Sequence, residues 1–327
     1  MIGQFDFCLN APERWSSDEA YQALSTLSFH DWAEALRGRF EFNADAALPK
    51  GEGPLGLLCE AMRYAVMGGG KRVRALLVYG AGALTAAPAK ALDEAALAVE
   101  YVHAYSLVHD DLPCMDNDTL RRGKPTAHVR FGVAEAMLAG DSLQPEAFER
   151  LLSTGLPAAQ INALTLALAR ASGARGMCGG QMIDLESVGE RIDIDVLRQM
   201  HRLKTGALIS AAVRMGALCG DPARFAALEA DLGQYSAAIG LGFQVVDDIL
   251  DVTASTEELG KTAGKDEAAD KPTYVSLLGL EKARELAAQC EAQALGALSH
   301  MKALAEAEAL GIQRLEELSH YVIRRTH

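Results

Sequence analysis

The sequence predicts an all-α fold, a single large helical bundle around a deep central cavity. Half of the 327 residues are hydrophobic while only 6% are aromatic, and the abundance of Ala and Leu favours helix over strand. Apolar residues recur at helical spacing in one segment after another, and no segment shows the sustained alternation that an exposed sheet requires. Helices rich in small residues, such as residues 236–242, can pack closely around a cavity.

Helical segments follow one another from about residue 29 to the C-terminus, separated by short stretches of Gly, Pro and Asp. The segments are Leu55 to Val66, Arg72 to Leu84, Ala91 to His109, Val133 to Leu143, Leu164 to Gly173, Ile194 to Gly216, Pro222 to Leu250 and Val275 to His300. Residues 1–28 lack this periodicity, so we predict a mobile N-terminal extension over 1–28 and one domain over 29–327. The lysine-containing loop Gly260 to Pro272 fits either a solvated connection or a lid.

The composition argues against several classes of protein. A net charge of −13 disfavours nucleic acid and anionic membrane surfaces as partners. The six cysteines are scattered without a CxxC pair, which is typical of reduced thiols in the cytoplasm. The N-terminus lacks a signal-peptide pattern, and the longest apolar run, residues 75–89, is too short to span a bilayer. We therefore expect a cytoplasmic protein without stable membrane insertion and without a nucleic-acid partner.

Two acidic clusters are the most informative feature of the sequence, and each adjoins apolar residues. They contain Asp110, Asp111 and Asp116, and Asp247, Asp248 and Asp251. Two carboxylates ~4 Å apart repel by about 4 kcal/mol at an effective dielectric constant of about 20, so keeping them together requires a cation. One cluster alone could be a solvated helix face, but two of one composition favour Mg²⁺, which also binds phosphate oxygens of substrates. The sequence therefore predicts a metal-dependent enzyme that acts on a phosphorylated substrate.

The spacing of the aspartates predicts different backbones for the two clusters. Asp247 and Asp251 are i and i+4, so a regular helix places them on one face. Asp110 and Asp116 are six residues apart, about 240° around a helix. Pro113 gives the helix a reason to end between them. A turn near Pro113 could bring Asp116 back beside Asp110.

Two basic segments can bind the opposite side of a diphosphate. Residues 68–74 combine three glycines, which let backbone N–H groups approach an anion, with three cations. The segment lacks the spacing of a Walker loop. Residues 121–126 follow the first acidic cluster closely, and the adjacent Arg121 and Arg122 can point to two different anions.

These motifs, in this order, resemble the short-chain trans-prenyl diphosphate synthases, in particular the bacterial members that make a fifteen-carbon product. The matching segments are Gly69 to Arg74, His103 to Asp116, Arg121 to His128, Gly179 to Leu185, His201 to Ala207, Phe243 to Asp251, Lys261, and Lys271 to Tyr274. The resemblance runs from about residue 30 to the end of the chain. It implies a helical bundle of the isoprenoid synthase type, a homodimer, and Mg²⁺ as cofactor with three ions per active site.

The resemblance also implies roles for individual residues. Mg²⁺ would be held by Asp110, Asp111, Asp116 and Asp247, with Asp248 and Asp251 in the same motif. An allylic diphosphate would be bound by Arg121, Lys204 and Lys261. The diphosphate of isopentenyl diphosphate would be bound by Gly70, Lys71, Arg74, His103 and Arg122. Thr205 and Gln244 would place oxygen atoms near a developing carbocation.

The implied activity is that of a prenyltransferase, which joins isopentenyl diphosphate head-to-tail to dimethylallyl or geranyl diphosphate. Residues four and five positions before Asp110 lie about one helical turn deeper along the pocket wall. They are Ser106 and Tyr105, and an aromatic residue at the deeper position is similar to the family's farnesyl pattern. Residues 113–117, by contrast, are reminiscent of geranylgeranyl synthases. We predict a farnesyl product, with geranylgeranyl or geranyl diphosphate as the alternative.

Two other classes of protein share some of these features. A terpene cyclase has the same fold but does not need a second diphosphate site, so Lys71, Arg74 and Arg122 argue against it. A regulatory subunit of a heteromeric prenyl synthase is the non-enzyme alternative. Such subunits lose their acidic clusters, and both clusters are intact here.

Overall fold

Helices follow one another along the chain in the computed structural model, which describes residues 21, 23–253, 271–304 and 308–325. Their bounds are α1 Phe29–Ala47, α2 Gly56–Val66, α3 Val73–Leu84, α4 Ala89–Asp110, α5 Ala127–Phe131, α6 Val133–Leu152, α7 Ala158–Ser172, α8 Met177–Glu186, α9 Ile194–His201, α10 Ala207–Leu218, α11 Pro222–Thr253, α12 Tyr274–Leu278, α13 Leu280–Ala303 and α14 Ala309–Ile323. A π-helical turn, Arg202–Gly206, joins α9 to α10. Short 3₁₀ turns, Leu24–Thr26 and Gly53–Leu55, precede α1 and α2. The prediction of an all-α fold is confirmed.

The structure differs from the sequence prediction in several places, and the helices α1, α5 and α14 are not among the predicted segments. Strands β1 (Leu120–Arg121) and β2 (Lys124–Pro125) form a two-residue antiparallel hairpin where no sheet was expected. The helix α8 was not predicted, because its glycines hide the apolar periodicity. The predicted segment from Val275 onward is two helices, since Gly279 takes a positive φ of 83° between α12 and α13.

The core of the bundle is formed by α3, α4 and α10. Every residue of α3 except Ala83 is buried, and α10 packs against it. A Cβ at Gly216 of α10 would lie 2.1 Å from the carbonyl oxygen of Val78 in α3, so a glycine is required for this close approach. The helices α4 and α6 pack side by side, and α11 packs along α13. Small residues thus allow close helix packing at the centre, as the sequence predicts.

A buried ion pair fixes α1 to this core. Arg39, which is fully buried, donates to both carboxylate oxygens of Asp93 on α4 at 2.6 and 2.7 Å. Tyr79 on α3 donates to the same carboxylate at 2.7 Å. Removing one partner of such a buried pair typically costs about 3–5 kcal/mol, because the other charge remains in the core. The pair therefore fixes the position of α1 relative to α3 and α4.

The described part of the predicted N-terminal extension packs against the bundle. Leu24 is buried, and the hydroxyl of Tyr21 donates to the carbonyl of Tyr79 at 3.2 Å. Arg314 of α14 donates to the carbonyls of Ser25 and Leu27. Residues 1–20 and 22 lie outside the described residues, and the extension stays a prediction. Among the described helices, none is long and apolar enough to cross a bilayer.

Candidate active site

The first acidic cluster lies where α4 ends and the chain turns back on itself. The backbone N–H of Asp116 donates to the carbonyl of Asp110 at 2.9 Å, so the turn through Pro113 returns Asp116 to the helix end as predicted. Asn117, at the end of this turn, adopts a left-handed conformation with φ 53°. Broken helix geometry, rather than helical phase, thus brings Asp110 and Asp116 together.

Cations from elsewhere in the chain contact two of these three carboxylates. Arg121, on β1, donates to both oxygens of Asp111 through Nε at 2.8 and 3.0 Å, and its Nη2 adds a contact of 2.6 Å. Lys271 donates to Asp116 at 3.1 Å. The side chain of Asp110 has no hydrogen bond or ion pair to another described residue. Burial raises the pKa of Asp110 to about 6, Lys204 opposes this increase, and Asp116 adds to it.

In the second acidic cluster, on the regular helix α11, the carboxylates contact different partners. Asp247 pairs with Arg325 at 2.7 Å, near the C-terminus. Asp248 accepts hydrogen bonds from the Gln244 side chain at 2.9 Å and from the backbone N–H of Tyr274 at 2.8 Å. Asp251 is only 3% exposed. The predicted helical register is present, but the three carboxylates differ in burial and surroundings.

The six predicted metal-binding carboxylates therefore do not form one ready-made cluster. Among the described residues, no three acidic, His or Cys side chains already converge as a metal site. Three of the six carboxylates pair with protein cations instead: Asp111 with Arg121, Asp116 with Lys271 and Asp247 with Arg325. The donor set still fits Mg²⁺: it consists of oxygen atoms only, and Asp110 is a partly buried carboxylate that no described cation contacts.

A carboxylate between two lysines forms one side of the cleft. Asp184 of α8 accepts from Lys204 at 2.7 Å and from Lys271 at 3.5 Å. Burial alone would raise the pKa of Asp184, but the two lysines together hold it below its ordinary value. Two cations are thereby gathered near the first acidic cluster. Lys261, predicted to act beside Lys204, lies outside the described residues.

The π-helical turn presents Lys204 and Thr205 to the cleft. A Cβ at Gly180 of α8 would lie 2.1 Å from the backbone nitrogen of Lys204, so this glycine lets α8 approach the turn. The hydroxyl of Thr205 donates to Oε1 of Gln244 at 3.2 Å. The structure thus brings together the two residues that the sequence assigned to the carbocation, although they lie far apart in the chain.

The glycine-rich basic segment and the hairpin meet at a second cationic site. Gly70 has φ 124°, and a Cβ there would lie 2.7 Å from the guanidinium carbon of Arg122. Arg122 donates to the carbonyl of Gly69. Arg74 is buried, and its Nε has no hydrogen-bond partner. Next to Arg122 and the glycines, this nitrogen is a donor that an anion could accept from.

His103 and Lys71 belong to the same cationic site. Burial and the charges of Arg74 and Arg122 lower the pKa of His103 well below its ordinary value, so the imidazole is neutral at physiological pH. Burial and Arg325 lower the pKa of Lys71, while Asp247 raises it. The carboxylate of Asp247 therefore connects the second acidic cluster to this cationic site.

The backbone in both basic segments is strained. Arg72 and Arg122 have φ values of 50° and 53°, in the left-handed region that costs energy for residues with a Cβ. Arg72 has a structural role, because its guanidinium donates to Glu41 at 2.9 Å and to the carbonyl of Val66 at 2.6 Å. Glu100 of α4 accepts from the backbone N–H of Ala75 at 3.1 Å and so caps α3.

The predicted chain-length residues lie one turn below Asp110. Tyr105 is 5% exposed and its hydroxyl lies 3.6 Å from the Sγ of Cys178 on α8. Ser106 donates to the carbonyl of His103 at 2.9 Å within its own helix. The sequence prediction included Tyr105 and Ser106 but missed Cys178, Asp184 and Arg325. Asp184 lies in the matched segment Gly179 to Leu185, so the family motif could have identified it. No motif in the sequence points to Arg325.

A helical bundle with two acidic clusters, and with cationic sites on two sides of them, defines a class of protein that binds diphosphates. A family model described as polyprenyl synthetase matches residues 56–308, and the chain belongs to this family. It is 53% identical to a probable farnesyl diphosphate synthase of Bradyrhizobium diazoefficiens, covering 79% of this chain and 78% of the relative. It is 49% identical to the farnesyl diphosphate synthase of Escherichia coli, covering 81% and 88% of the two chains.

A solved structure has the same fold. A geranyltransferase from Helicobacter pylori, complexed with magnesium and isoprenyl diphosphate, is 33% identical with a TM-score of 0.80. The match covers 92% of this chain and 100% of that chain. The family predicted from the ordered motifs is confirmed, and with it the assignment to the prenyltransferases.

Proposed function

We propose that this protein condenses isopentenyl diphosphate with dimethylallyl or geranyl diphosphate, giving (2E,6E)-farnesyl diphosphate and diphosphate. The observation that carries this proposal is the presence of two separate cationic sites around one acidic cleft. Lys204, Lys271 and Arg121 lie on one side, and Arg74 and Arg122 lie on the other. An enzyme that ionises one diphosphate needs only the first site.

Mg²⁺ would be held by carboxylates of both clusters, above all Asp110, Asp111, Asp116 and Asp247. When bound, it neutralises charge on the allylic diphosphate and so favours departure of that group. Asp116 and Asp247, which pair with Lys271 and Arg325, would have to give up these pairs to hold the metal. The released Lys271 remains beside Asp184, where it can contact the same diphosphate. We assign three ions to each active site, as the family resemblance implies.

The chemistry follows from the placement of this chain's own residues. The C–O bond of the allylic diphosphate breaks, and Lys204 and Arg121 stabilise the charge that develops on the departing oxygen. The double bond of isopentenyl diphosphate then donates its electron pair to the allyl cation and forms the new C–C bond. The departed diphosphate accepts the proton that restores a double bond. No protein base is needed for this step.

Thr205 and Gln244 stabilise the cation between these two steps. Thr205 donates its hydroxyl hydrogen to Gln244, and Gln244 donates to Asp248, so the two oxygen atoms are fixed with their lone pairs available. Neutral oxygen dipoles stabilise a carbocation without forming a bond to it. Neutral His103 binds a substrate phosphate by hydrogen bonding and adds no charge to the site.

We infer a homodimer from the apolar side chains on α6 and α7. Met137, Leu138 and Leu152 of α6 are each more than half exposed, and Leu166 of α7 is 49% exposed. Such a face fits a second copy of this chain. We place the protein in the cytoplasm because the described cysteines are free thiols. Light scattering after gel filtration and cell fractionation test these two inferences.

The activity is tested by incubating the purified protein with Mg²⁺, labelled isopentenyl diphosphate and either starter, followed by separation of the dephosphorylated products. Farnesol as the dominant product from both starters is expected. Geranylgeraniol as the dominant product would support the proposed reaction but contradict the assigned product length. Absence of any coupled product would contradict the enzyme and favour the regulatory subunit. A reaction with EDTA in place of Mg²⁺ is the matched control.

A further inference from the structure

The helices α4 and α8 form two walls of the proposed substrate pocket, and both run towards its charged end. From Tyr105 to Asp110 is five residues, about 7.5 Å along α4, and from Cys178 to Asp184 is six residues, about 9 Å along α8. At the charged end, Lys271 connects Asp184 to Asp116. At the other end, the hydroxyl of Tyr105 meets the thiol of Cys178 at 3.6 Å. Contacts therefore connect the two helices at both ends of the proposed pocket.

Tyr105 cannot move away from Cys178 towards α6. Its ring packs edge-on against the ring of His109, with the centroids 5.7 Å apart. His109 is itself held by α6, since its Nε2 lies 3.1 Å from the carbonyl of Met137. A Cβ at Gly140 would lie 2.2 Å from the same nitrogen, so this glycine lets His109 pack closely against α6. With Tyr105 held in this way, the size of the side chain at position 178 should determine the space between Tyr105 and α8.

We propose that Cys178 is a second determinant of product length and closes the pocket floor together with Tyr105. The inference rests on the proposed prenyl-chain elongation and deepens it. Its effect is steric: the thiol takes no part in bond formation, and the ligand is the apolar tail of the allylic starter. A starter whose tail ends above this pair can bind and be elongated. A longer tail collides with it, so the product is one unit longer than the longest accepted starter.

Matched substitutions test this pair. Each variant is given labelled isopentenyl diphosphate with dimethylallyl, geranyl or farnesyl diphosphate as starter. We expect Cys178→Ala to increase elongation of farnesyl diphosphate about 10-fold and to produce geranylgeraniol. Cys178→Leu should reduce the use of geranyl diphosphate and accumulate geraniol from the dimethylallyl starter. Tyr105→Phe, which keeps the ring, should behave as the wild type, and Tyr105→Ala should lengthen the product.

The inference is overturned if both Cys178 variants keep the wild-type product distribution while Tyr105→Ala changes it. Tyr105 would then set the length alone. Failure of the proposed function has a different signature, because the wild type would then form no product from any starter. Circular dichroism melting shows whether a variant is folded. If a variant melts well below the wild type, the thiol-labelling experiment decides instead. Cys178→Ser, which nearly keeps the side-chain volume, should keep the wild-type product distribution.

Thiol labelling gives an independent measurement in the folded enzyme. Cys178 and Cys114 are exposed, while Cys59, Cys219 and Cys290 are buried; Cys8 lies outside the described residues. In a Cys8→Ser/Cys114→Ser background, methyl methanethiosulfonate should slow turnover of geranyl diphosphate more than that of dimethylallyl diphosphate. Adding Cys178→Ala should remove this difference. Equal slowing of both starters would place the thiol outside the path of the tail and contradict the inference.

Discussion

The two acidic clusters have the same composition but different structures. The first is assembled by a broken helix, and the backbone bond from Asp116 to Asp110 closes it. The second is a regular helix, and its members contact separate parts of the fold. Asp247 pairs with Arg325 near the C-terminus. Asp248 accepts hydrogen bonds from Gln244 and from the first residue of α12, Tyr274. The difference indicates that a shared motif does not imply a shared role for each aspartate.

We expect the carboxylates of the first cluster to bind the metal. In the second cluster we expect Asp247 to bind it, while Asp248 positions its neighbours. Asp247 side-chain exposure is 35%, while Asp248 and Asp251 are 2% and 3% exposed. Asp248 has a structural role because it accepts hydrogen bonds from Gln244 and from the backbone of Tyr274. Substitutions in the two clusters should therefore separate loss of chemistry from loss of structure.

The largest effect is expected for Asp110→Asn, which removes the carboxylate that no described cation contacts. Loss of several kcal/mol of charge stabilisation should lower kcat by about 10³-fold. Steady-state assays with geranyl diphosphate measure this, and Asp195→Asn, at an 86% exposed side chain, is the matched control. A decrease in kcat of less than about 10-fold would show that Asp110 does not bind the metal.

The same variant should be more stable in EDTA at pH 8. The pKa of Asp110 in the folded protein, about 6, exceeds the ordinary value of 3.8, so the ionised carboxylate costs stability above pH 6. This cost is lost as the pH falls through 6, and it is gone below about pH 3.8, where the carboxyl is protonated in both the folded and the unfolded chain. Asp110→Asn should therefore raise the free energy of unfolding by about 1 kcal/mol at pH 8. No gain at pH 8, measured by urea unfolding, would contradict this.

A smaller effect on activity and a larger one on stability are expected for Asp248→Ala. The change leaves the backbone N–H of Tyr274 and the amide of Gln244 without their acceptor. We expect a loss of about 1–3 kcal/mol in the free energy of unfolding and a roughly tenfold lower kcat, since Gln244 is no longer fixed. Chemical denaturation and kinetics test both. An unchanged stability would show that Asp248 is not structural.

Arg325→Met should lower the Mg²⁺ concentration that gives half-maximal activity. Arg325 pairs with Asp247 at 2.7 Å and would compete with Mg²⁺ for this carboxylate. A partly exposed ion pair contributes about 1 kcal/mol, equivalent to a roughly fivefold shift. Arg324→Met is the matched control, because Arg324 pairs with Glu291 on the surface instead. A shift to higher Mg²⁺ would mean that Arg325 assists binding.

The smallest effect concerns the turn of the first cluster. Asn117 has a left-handed backbone, which Asn tolerates better than other residues with a Cβ. Asn117→Ala should cost about 1 kcal/mol of stability, and Asn117→Gly should cost less than about 0.5 kcal/mol. Thermal melts of the two variants measure this difference. If the two variants have the same stability, the left-handed conformation at Asn117 does not contribute to the stability of this turn.

The sequence predicts those parts of the site that depend on local geometry. Helical phase placed Asp247 and Asp251, and Pro113 indicated the turn that returns Asp116. The ordered motifs and their resemblance to a known family then supplied Lys204, Thr205 and Gln244. These residues lie in segments whose local pattern is distinctive.

The sequence could not predict contacts between residues that are distant in the chain. The partners of Asp184, which are Lys204 and Lys271, depend on how α8, the π-helical turn and the start of α12 pack together. The pairing of Asp247 with Arg325 likewise depends on the packing of α11 and α14. The hairpin of Arg121 was missed because two-residue strands are too short to show alternation.

The π-helical turn Arg202–Gly206 makes this stretch of chain intolerant of changes in length. A π-helical turn contains one residue more than an α-helical turn, and a single residue corresponds to about 100° of rotation around an α-helix. Deleting one residue between His201 and Ala207 would turn Lys204 or Thr205 away from the cleft while α9 and α10 stayed helical. The chain could keep its fold and its family motifs and still lose its chemistry. Insertions and deletions here should therefore be far rarer among functional variants than substitutions.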